Sequence, residues 1–583
     1  MAIGTAIGTD HASGLTRRQR YESTRQAMRL ERTSFQAHWQ ELAEYMQPRR
    51  TRFTVTDVNR GDRRSQSIID SSPLIALRTL QSGMHAGLTS PARPWMKLTT
   101  ADAALAERPA VKDWLHTVTQ RMLTVFLRSN LYNALPLVYG DMGLFGTGAI
   151  GILDDDEDMM RAYSYPLGSY DVGLDKRGVA AVFSREFTMT CRQVVEEFGV
   201  DPTTRALNRS VFSNQVLAAW DKGQYDQRFT VIHFVCPNEE YRPEALSARH
   251  RMKFKSCYYE EGVSDKDTPG DAFLRESGYN EFPIMVPRWD VTGEDTYGTF
   301  SPGIIALGDV KQLQLMQRRK AQAIEKAINP PLVGPASFRN AEVSSIPGRI
   351  TYGDERDGMQ GLRPIYETRL EGLQHLILDM GECRQRIDRA FYADLFLMLA
   401  QSDRMQPITA AEVAARQEEK LIALGPVLER TNDELLDPLV DRMFAMMLRL
   451  GAIPEPPEEL GGVDLKVEYL SILAQAQKLV GVVGQDRFLS SVIALREAFP
   501  NVTYKVNERE VVDRYADMLG TAPSIVRTDE EADELMAAAA QQQQAAAQAQ
   551  QAQQLSVAAK NLGTTPMDGQ RTALSAVLDG VGA

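Results

Sequence analysis

The chain has no apolar run near the roughly 20 residues that a bilayer helix needs. The longest, around residues 396–400, falls far short. Residues 1–10 lack the charged-then-apolar order of a secretory signal. The expectation is a soluble chain made in the cytoplasm, with no membrane partner. Cysteine is scarce: Cys191, Cys236, Cys257 and Cys383 lie far apart with no CxxC pair. That spacing excludes a zinc knuckle or disulfide framework and favours reduced, structural thiols. No GxxxxGK[ST], HExxH or GxSxG occurs, and no Cys stands near a His in a protease-like pattern. The reading is therefore not an enzyme, with no cofactor and no metal.

Two patterns imitate chemistry. Residues 146–151 (GTGAIG) satisfy GxGxxG, but a dinucleotide site needs a strand before it and a helix after it. Here a helical stretch precedes and a strand follows, so the pattern is rejected. The acidic run 154–158 lacks the alternating ligands of a calcium loop and reads as a hairpin turn.

In 583 residues there is room for about three to five structural units. The net charge of −12 argues against a protein that coats DNA and suits a surface that DNA slides past. Between Arg17 and Arg64, however, twelve arginines face six acids, and lysine is missing altogether. Two readings stand for that segment: an arginine face for DNA or an acidic partner, or a solvated helix face with local ion pairs.

Helices are expected over 16–46, from Ser72-Pro73 (Ser as cap, Gly83 and Gly87 closing it), and over 109–128, with strands over 148–188 and 228–287. A helix from Ser301-Pro302 to Asn329 and a second over 367–399 bracket a Pro/Gly/Ser-rich insert, with strand-like pieces at 332–333 and 349–352. After a break at 401–407, a helix over 409–450 is expected to kink at Gly425-Pro426 and Pro438. A strand follows at 465–470. Then come amphipathic helices to about 519 and an Ala/Gln segment over 537–554, which is either one helix of a bundled barrel or a low-complexity tail. The fold class is α+β, mainly α.

Several strings, in order, carry a resemblance: 39–48 (WQELAEYMQP), 69–73 (IDSSP), 87–95 (GLTSPARPW), 141–148 (DMGLFGTG), 282–288 and 293–298 (GEDTYG), then 409–416 (TAAEVAAR), 424–430 (LGPVLER) and 434–442. Together they cover most of residues 35–460. They resemble the head-to-tail connector (portal) family of short-tailed double-stranded DNA phages. Asp295 and Thr296 depart from a Gly-Glu-Tyr-Gly-like turn, and the Ala/Gln tail is no family signature.

The resemblance implies the portal fold, a dodecameric ring at the capsid vertex of the virion that passes double-stranded DNA during packaging and ejection. It implies a wing (1–300), stem helices (301–329 and 367–399), a clip (330–366), a tunnel loop (400–408), a long kinked wing helix (409–463), a crown (464–527) and a barrel or tail (528–583). Implied partners are the large terminase subunit, tail adaptor and tail tube proteins, and the major capsid and scaffolding proteins. Gln401, Asp403, Arg404 and Met405 are expected to face DNA. Phe338, Arg339, Asn340 and Arg349 are expected in the clip. Lys311, Arg318, Arg319, Lys320, Arg384, Arg386 and Arg389 are candidates for DNA proximity, or else ion-pair partners between subunits. The alternative is a tail or baseplate component without a channel.

Overall fold

The computed structural model describes residues 16–470 except 54–60, 107, 201–206, 246–247, 263–272, 331, 334–362, 365–370, 402–423 and 462–464. Beyond 470 it describes 491–495, 506–507, 509–512, 529–564, 566–567 and 571–572. The chain divides into two units, Met1–Gln477 and Lys478–Ala583.

The first unit opens with α1 (Arg17–Met46), started by a capping box in which Thr16 and Gln19 exchange hydrogen bonds. Next come α2 (Ser72–Leu88), β1 (Met96–Thr100), α3 (Ala103–Ala106), α4 (Pro109–Arg128) and α5 (Leu131–Phe145). The helix expected over 109–128 lies on those residues, burying Val111, Trp114, Leu115, Val118 and Met122. In α2, by contrast, Ser72 is not the cap. Its backbone N–H and hydroxyl both donate to Asp70 Oδ1, at 2.9 and 2.6 Å. Nor do Gly83 and Gly87 end the helix. A Cβ on Gly83 would lie 2.1 Å from Phe396 Cγ, so this glycine opens a crossing point for a later helix.

Strands β2 (Ile150–Asp155), β3 (Met159–Ser164) and β9 (Ile284–Met285) form one antiparallel sheet in the order β3-β2-β9. A second antiparallel sheet runs β4 (Tyr170–Leu174), β5 (Ala180–Thr190), β6 (Arg228–Pro237), β7 (Phe254–Glu260) and β8 (Arg275–Tyr279). Tyr21 and Met28 of α1 pack on one face of this sheet with Ile232, Phe234 and Tyr259. On its other face lie α6 (Cys191–Phe198) and α7 (Asn214–Asp221), packed around Val194, Val216 and Val231. A short α8 (Ala248–Arg251) precedes β7.

Helix α9 (Pro302–Ile328) is followed by β10 (Leu332–Val333), β11 (Arg363–Pro364) and α10 (Glu371–Ala390). The helix expected over 367–399 is not continuous. It breaks at Phe391-Tyr392, where Tyr392 takes φ 53°, and restarts as α11 (Ala393–Gln401). Phe391 before the break and Leu395 and Phe396 after it are all buried, so the chain stays on the core as it turns. Neither Gly nor Pro marks the spot.

Helix α12 (424–431) passes through a wide π-helical turn, Asn432–Leu436, into α13 (Asp437–Arg449). The expected interruptions thus take another form. Pro426 sits in the first described turn of α12, and Pro438 in the first turn of α13. The 465–470 strand appears as β12 (Leu465–Tyr469) and pairs antiparallel with β1, Met96 opposite Tyr469. All four cysteines are buried and none is in a disulfide. In the second unit, α14 (Asp529–Thr564) leaves its few large apolar side chains, Leu535, Met536, Leu555 and Val557, about half exposed or more.

One apolar core spans Trp39 of α1 to Leu460. At its centre two loops meet backbone to backbone. Gly146 ends α5 with φ 84°, and a Cβ on Gly298 would lie 2.0 Å from the Gly146 carbonyl oxygen. Gly298→Ala is therefore expected to cost about 2–4 kcal/mol. By contrast Gly308→Ala, on an open helical site in α9, should stabilise by about 0.5–1 kcal/mol. Thermal denaturation of the two variants checks both signs.

Candidate nucleic-acid interface

The helical pair α9–α10 is built on fixed roots. Ser301 Oγ accepts from the Ile304 N–H and donates to Leu144 O, so the first turn of α9 is capped and tied to α5 by one hydroxyl. Gln314 then bridges to the start of α2. Its Oε1 accepts from the N–H groups of Ile69 and Asp70, and its Nε2 donates to Asp70 O at 2.9 Å. Helix α10 runs antiparallel to α9, with Cys383 and Arg386 opposite Asp309. At the far end β10 and β11 pair, Leu332 with Pro364 and Val333 with Arg363, closing the base of the insert.

The seven basic candidates on this pair divide into two sets. Lys311 is paired with Glu41, Arg384 with Asp70 at 2.7 Å, and Arg386 with Asp309 at 2.9 Å. These partners lie within the chain, whereas the sequence left partners between subunits open. Burial works to raise the pKa of the Asp70 carboxyl, but hydrogen bonds from Ser72 and Arg384 outweigh it and hold it below the ordinary value. Arg318, Arg319 and Arg389 are exposed and Lys320 partly so, and none has an ion pair among the described residues. Gln401 is the last residue of α11. Asp403, Arg404 and Met405 lie outside the described residues, as do Phe338, Arg339, Asn340, Arg349 and the strand expected at 349–352.

In α1 the local ion pair Arg25–Glu22 forms, but the arginines do not make a solvated or DNA-facing surface alone. Arg18, Arg25 and Arg32 are buried against the five-stranded sheet. Arg18 donates to Glu260 O at 2.6 Å, Arg25 pairs with Glu186 and Glu22, and Arg32 lies 3.2 Å from Asp171. The exposed side is also matched, with Arg17 on Glu276, Arg20 on Glu239 and Arg29 on Glu186. The signal was present in the spacing. Arg18, Tyr21, Arg25, Met28, Arg32, Phe35, Trp39, Leu42 and Met46 alternate by three and four, so arginines hold one column of a helix-packing stripe. Burying long stems while pairing their heads makes this workable.

Both imitations of chemistry are accounted for. Residues 146–149 form the turn between α5 and β2, which begins at Ile150, and Thr147 Oγ1 accepts from the Gly298 N–H at 2.7 Å. In the acidic run, Asp155 Oδ1 takes the N–H groups of Glu157 and Asp158, which lowers its pKa. Asp154 pairs with the buried Arg442. Among the described residues no cluster of acids, histidines or cysteines could hold a metal ion. No described helix is long and apolar enough to cross a membrane.

The family model of the bacteriophage head to tail connecting protein matches residues 18–526. The chain belongs to this connector family. It is 40% identical to the portal protein of Salmonella phage epsilon15 over 557 residues, covering 95% of this chain and 97% of that protein. It is 43% identical to the probable portal protein of Bordetella phage BPP-1 over 499 residues, 86% and 87% of the two chains. Connector proteins join head to tail, a structural rather than an enzymatic role.

In this connector the contact between α1 and the sheet is sensitive to pH. Arg32 is close to Asp171, yet Asp171 Oδ1 accepts no hydrogen bond. Burial dominates and pushes its pKa up to about 6. A raised carboxyl pKa means that the folded state binds the proton more tightly than the unfolded chain. Its stabilising contribution is therefore full below pH of about 4 and is lost as pH rises through about 6. The Tm of wild type minus that of Asp171→Asn should fall across that window, by the equivalent of on the order of 2–3 kcal/mol. A difference that is flat with pH would refute the assignment.

Proposed function

We propose that the connector subunit closes into a ring around a DNA channel, with the α9–α10 pair lining it. The observation that carries this is what the pair leaves exposed once it has packed along one side. One face is buried: Ala306, Val310 and Leu313 of α9 with Met380, Cys383 and Ile387 of α10. Outside it the pair exposes large apolar side chains, Ile305, Leu315 and Ile328 of α9 with Ile377 and Leu378 of α10. Isolated exposed leucines need no explanation, but several on one helical pair suit a heterologous contact with the next copy. Exposed or partly exposed on the same pair are Arg318, Arg319, Lys320 and Arg389, which, like Lys326, meet no acid among the described residues. Because Arg386 meets Asp309, Arg389 stands level with the first turns of α9, and Arg318–Lys320 about 20 Å further along. Repeated around a ring, these become two sparse positive bands.

Such bands make sequence-independent, salt-sensitive contacts with phosphates. The net charge of −12 over the whole chain keeps the polyanion from sticking. Lys311, Arg384 and Arg386, already neutralised by acids of their own chain, hold the pair to the body and contribute less to the bore. A dodecamer, a bore-lining loop at 401–405, an insert at 330–366 that receives terminase and later tail adaptors, and contacts with capsid and scaffolding proteins complete the reading. So does a barrel of α14 helices at a virion vertex.

Electron microscopy of the purified chain tests the ring. Top views with a central hole wide enough for duplex DNA are expected; solid discs or fibres would favour a tail component. Replacing Arg318, Arg319 and Lys320 together by Gln should leave rings intact and reduce the DNA held in particles. In isolated rings it should flatten the slope of log affinity against log salt by about 0.9 for each phosphate that is no longer neutralised. An unchanged slope would remove these residues from the channel.

A further inference from the structure

The long helix α12–α13 has its wide turn at one place, and the cause is local. Pro438 has no N–H for the Glu434 carbonyl, and its ring crowds that carbonyl. The Asp437 N–H bonds instead to Asn432 O, five residues back. Thr431 Oγ1 adds a back-bond to Val427 O at 2.7 Å. Turns of this kind are frequent at functional sites, and a one-residue slip back to α geometry would rotate all that precedes it by about 100°.

Glu434, in the middle of that turn, is held from outside the helix. Its carboxylate accepts four hydrogen bonds from Arg288. The backbone N–H gives one at 2.8 Å, Nη2 one at 2.6 Å, and Nε two at 3.2 Å. The same guanidinium donates to Asp295 O and Gly178 O, both at 2.9 Å. Arg288 is 8% exposed, and Arg430 stands 3.6 Å from the same carboxylate. Arg288 lies at the start of the segment that crosses the Gly146 turn and leads into α9. Glu434 lies in the helix that comes next in sequence, among the described residues, after the proposed channel loop.

We propose that Arg288 and Glu434 are positioning residues. Their clamp keeps the π-turn wide and so sets the direction of α12 against the root of α9, coupling the channel end of one helix to the docking end of the other. The clamp stands on geometry alone; the coupling to DNA rests on the channel reading. A planar guanidinium that binds a carboxylate side-on and two carbonyls edge-on leaves Glu434 one orientation, and the turn with it.

Glu434→Gln removes the charge with little change of shape. Arg288→Lys keeps the charge but cannot form the fork, and serves as the second variant should the first fail to fold. Hydrogen exchange of the full-length chain and DNA retention in particles are measured on both. Amides of 424–431 should exchange roughly tenfold faster or more while α13 keeps its protection, since one partner of a nearly buried pair has lost its mate. Rings should form, and particles should retain less DNA. Unchanged exchange over 424–431, or exchange raised equally through α13, overturns the clamp as a hinge. Faster exchange with full DNA retention overturns its coupling to function. Wild-type rings without a bore would overturn the channel reading instead, and the exchange comparison still judges the clamp.

Discussion

Two backbones that approach without side chains between them, at Gly146 and Gly298, hold the architecture of the first unit in place. The turn at Gly146 must be left-handed to end α5 and start β2, and Gly298 must be bare for the segment into α9 to cross it. Around this crossing Thr147 takes the Gly298 N–H, Trp289 N–H reaches Gly146 O, and Ser301 caps α9 on Leu144. The helical pair that carries the functional reading grows from that root. Its direction is therefore decided in the middle of the core, far in sequence from its own tip.

Charge does the second part of the work, and it does so inside. Arg18, Arg25, Arg32, Arg50, Arg288 and Arg442 bring guanidinium groups to buried or half-buried carboxylates and carbonyls on other elements. Each ties a helix or segment to a strand, a helix or a loop distant in sequence. A buried pair of this kind adds little stability over apolar packing, but leaving one partner alone costs several kcal/mol, which specifies the arrangement. Few cations remain without an acid on the described part of the α9–α10 pair, and those few are the ones that the proposed channel would set against DNA.

Much of the local structure was legible. The helix over 109–128 and the helix capped at Ser301 follow from apolar period and caps, and the hairpin at 154–158 follows from its strand alternation. The family strings predicted the connector, and the comparisons show it. The break at Tyr392 was not legible, because no glycine or proline marks it. Gly83 looks like a stop and is a crossing point, since only the presence of Phe396 distinguishes the two. The arginines of α1 look like a surface when charge alone is counted, although their three-and-four spacing with Tyr21 and Met28 marks the buried face.

Periodicity, capping residues and prolines act within a few residues, so the sequence alone determined where most helices and strands lie, their apolar faces and the family. Pairings that join distant parts had no local signal: β1 with β12, Gly146 with Gly298, Arg288 with Glu434. Only the tertiary structure decided these, and with them which basic residues are taken up by the chain's own acids and which remain for a partner. A free arginine and a paired one have the same sequence, and they differ only in whether folding brings a carboxylate within reach.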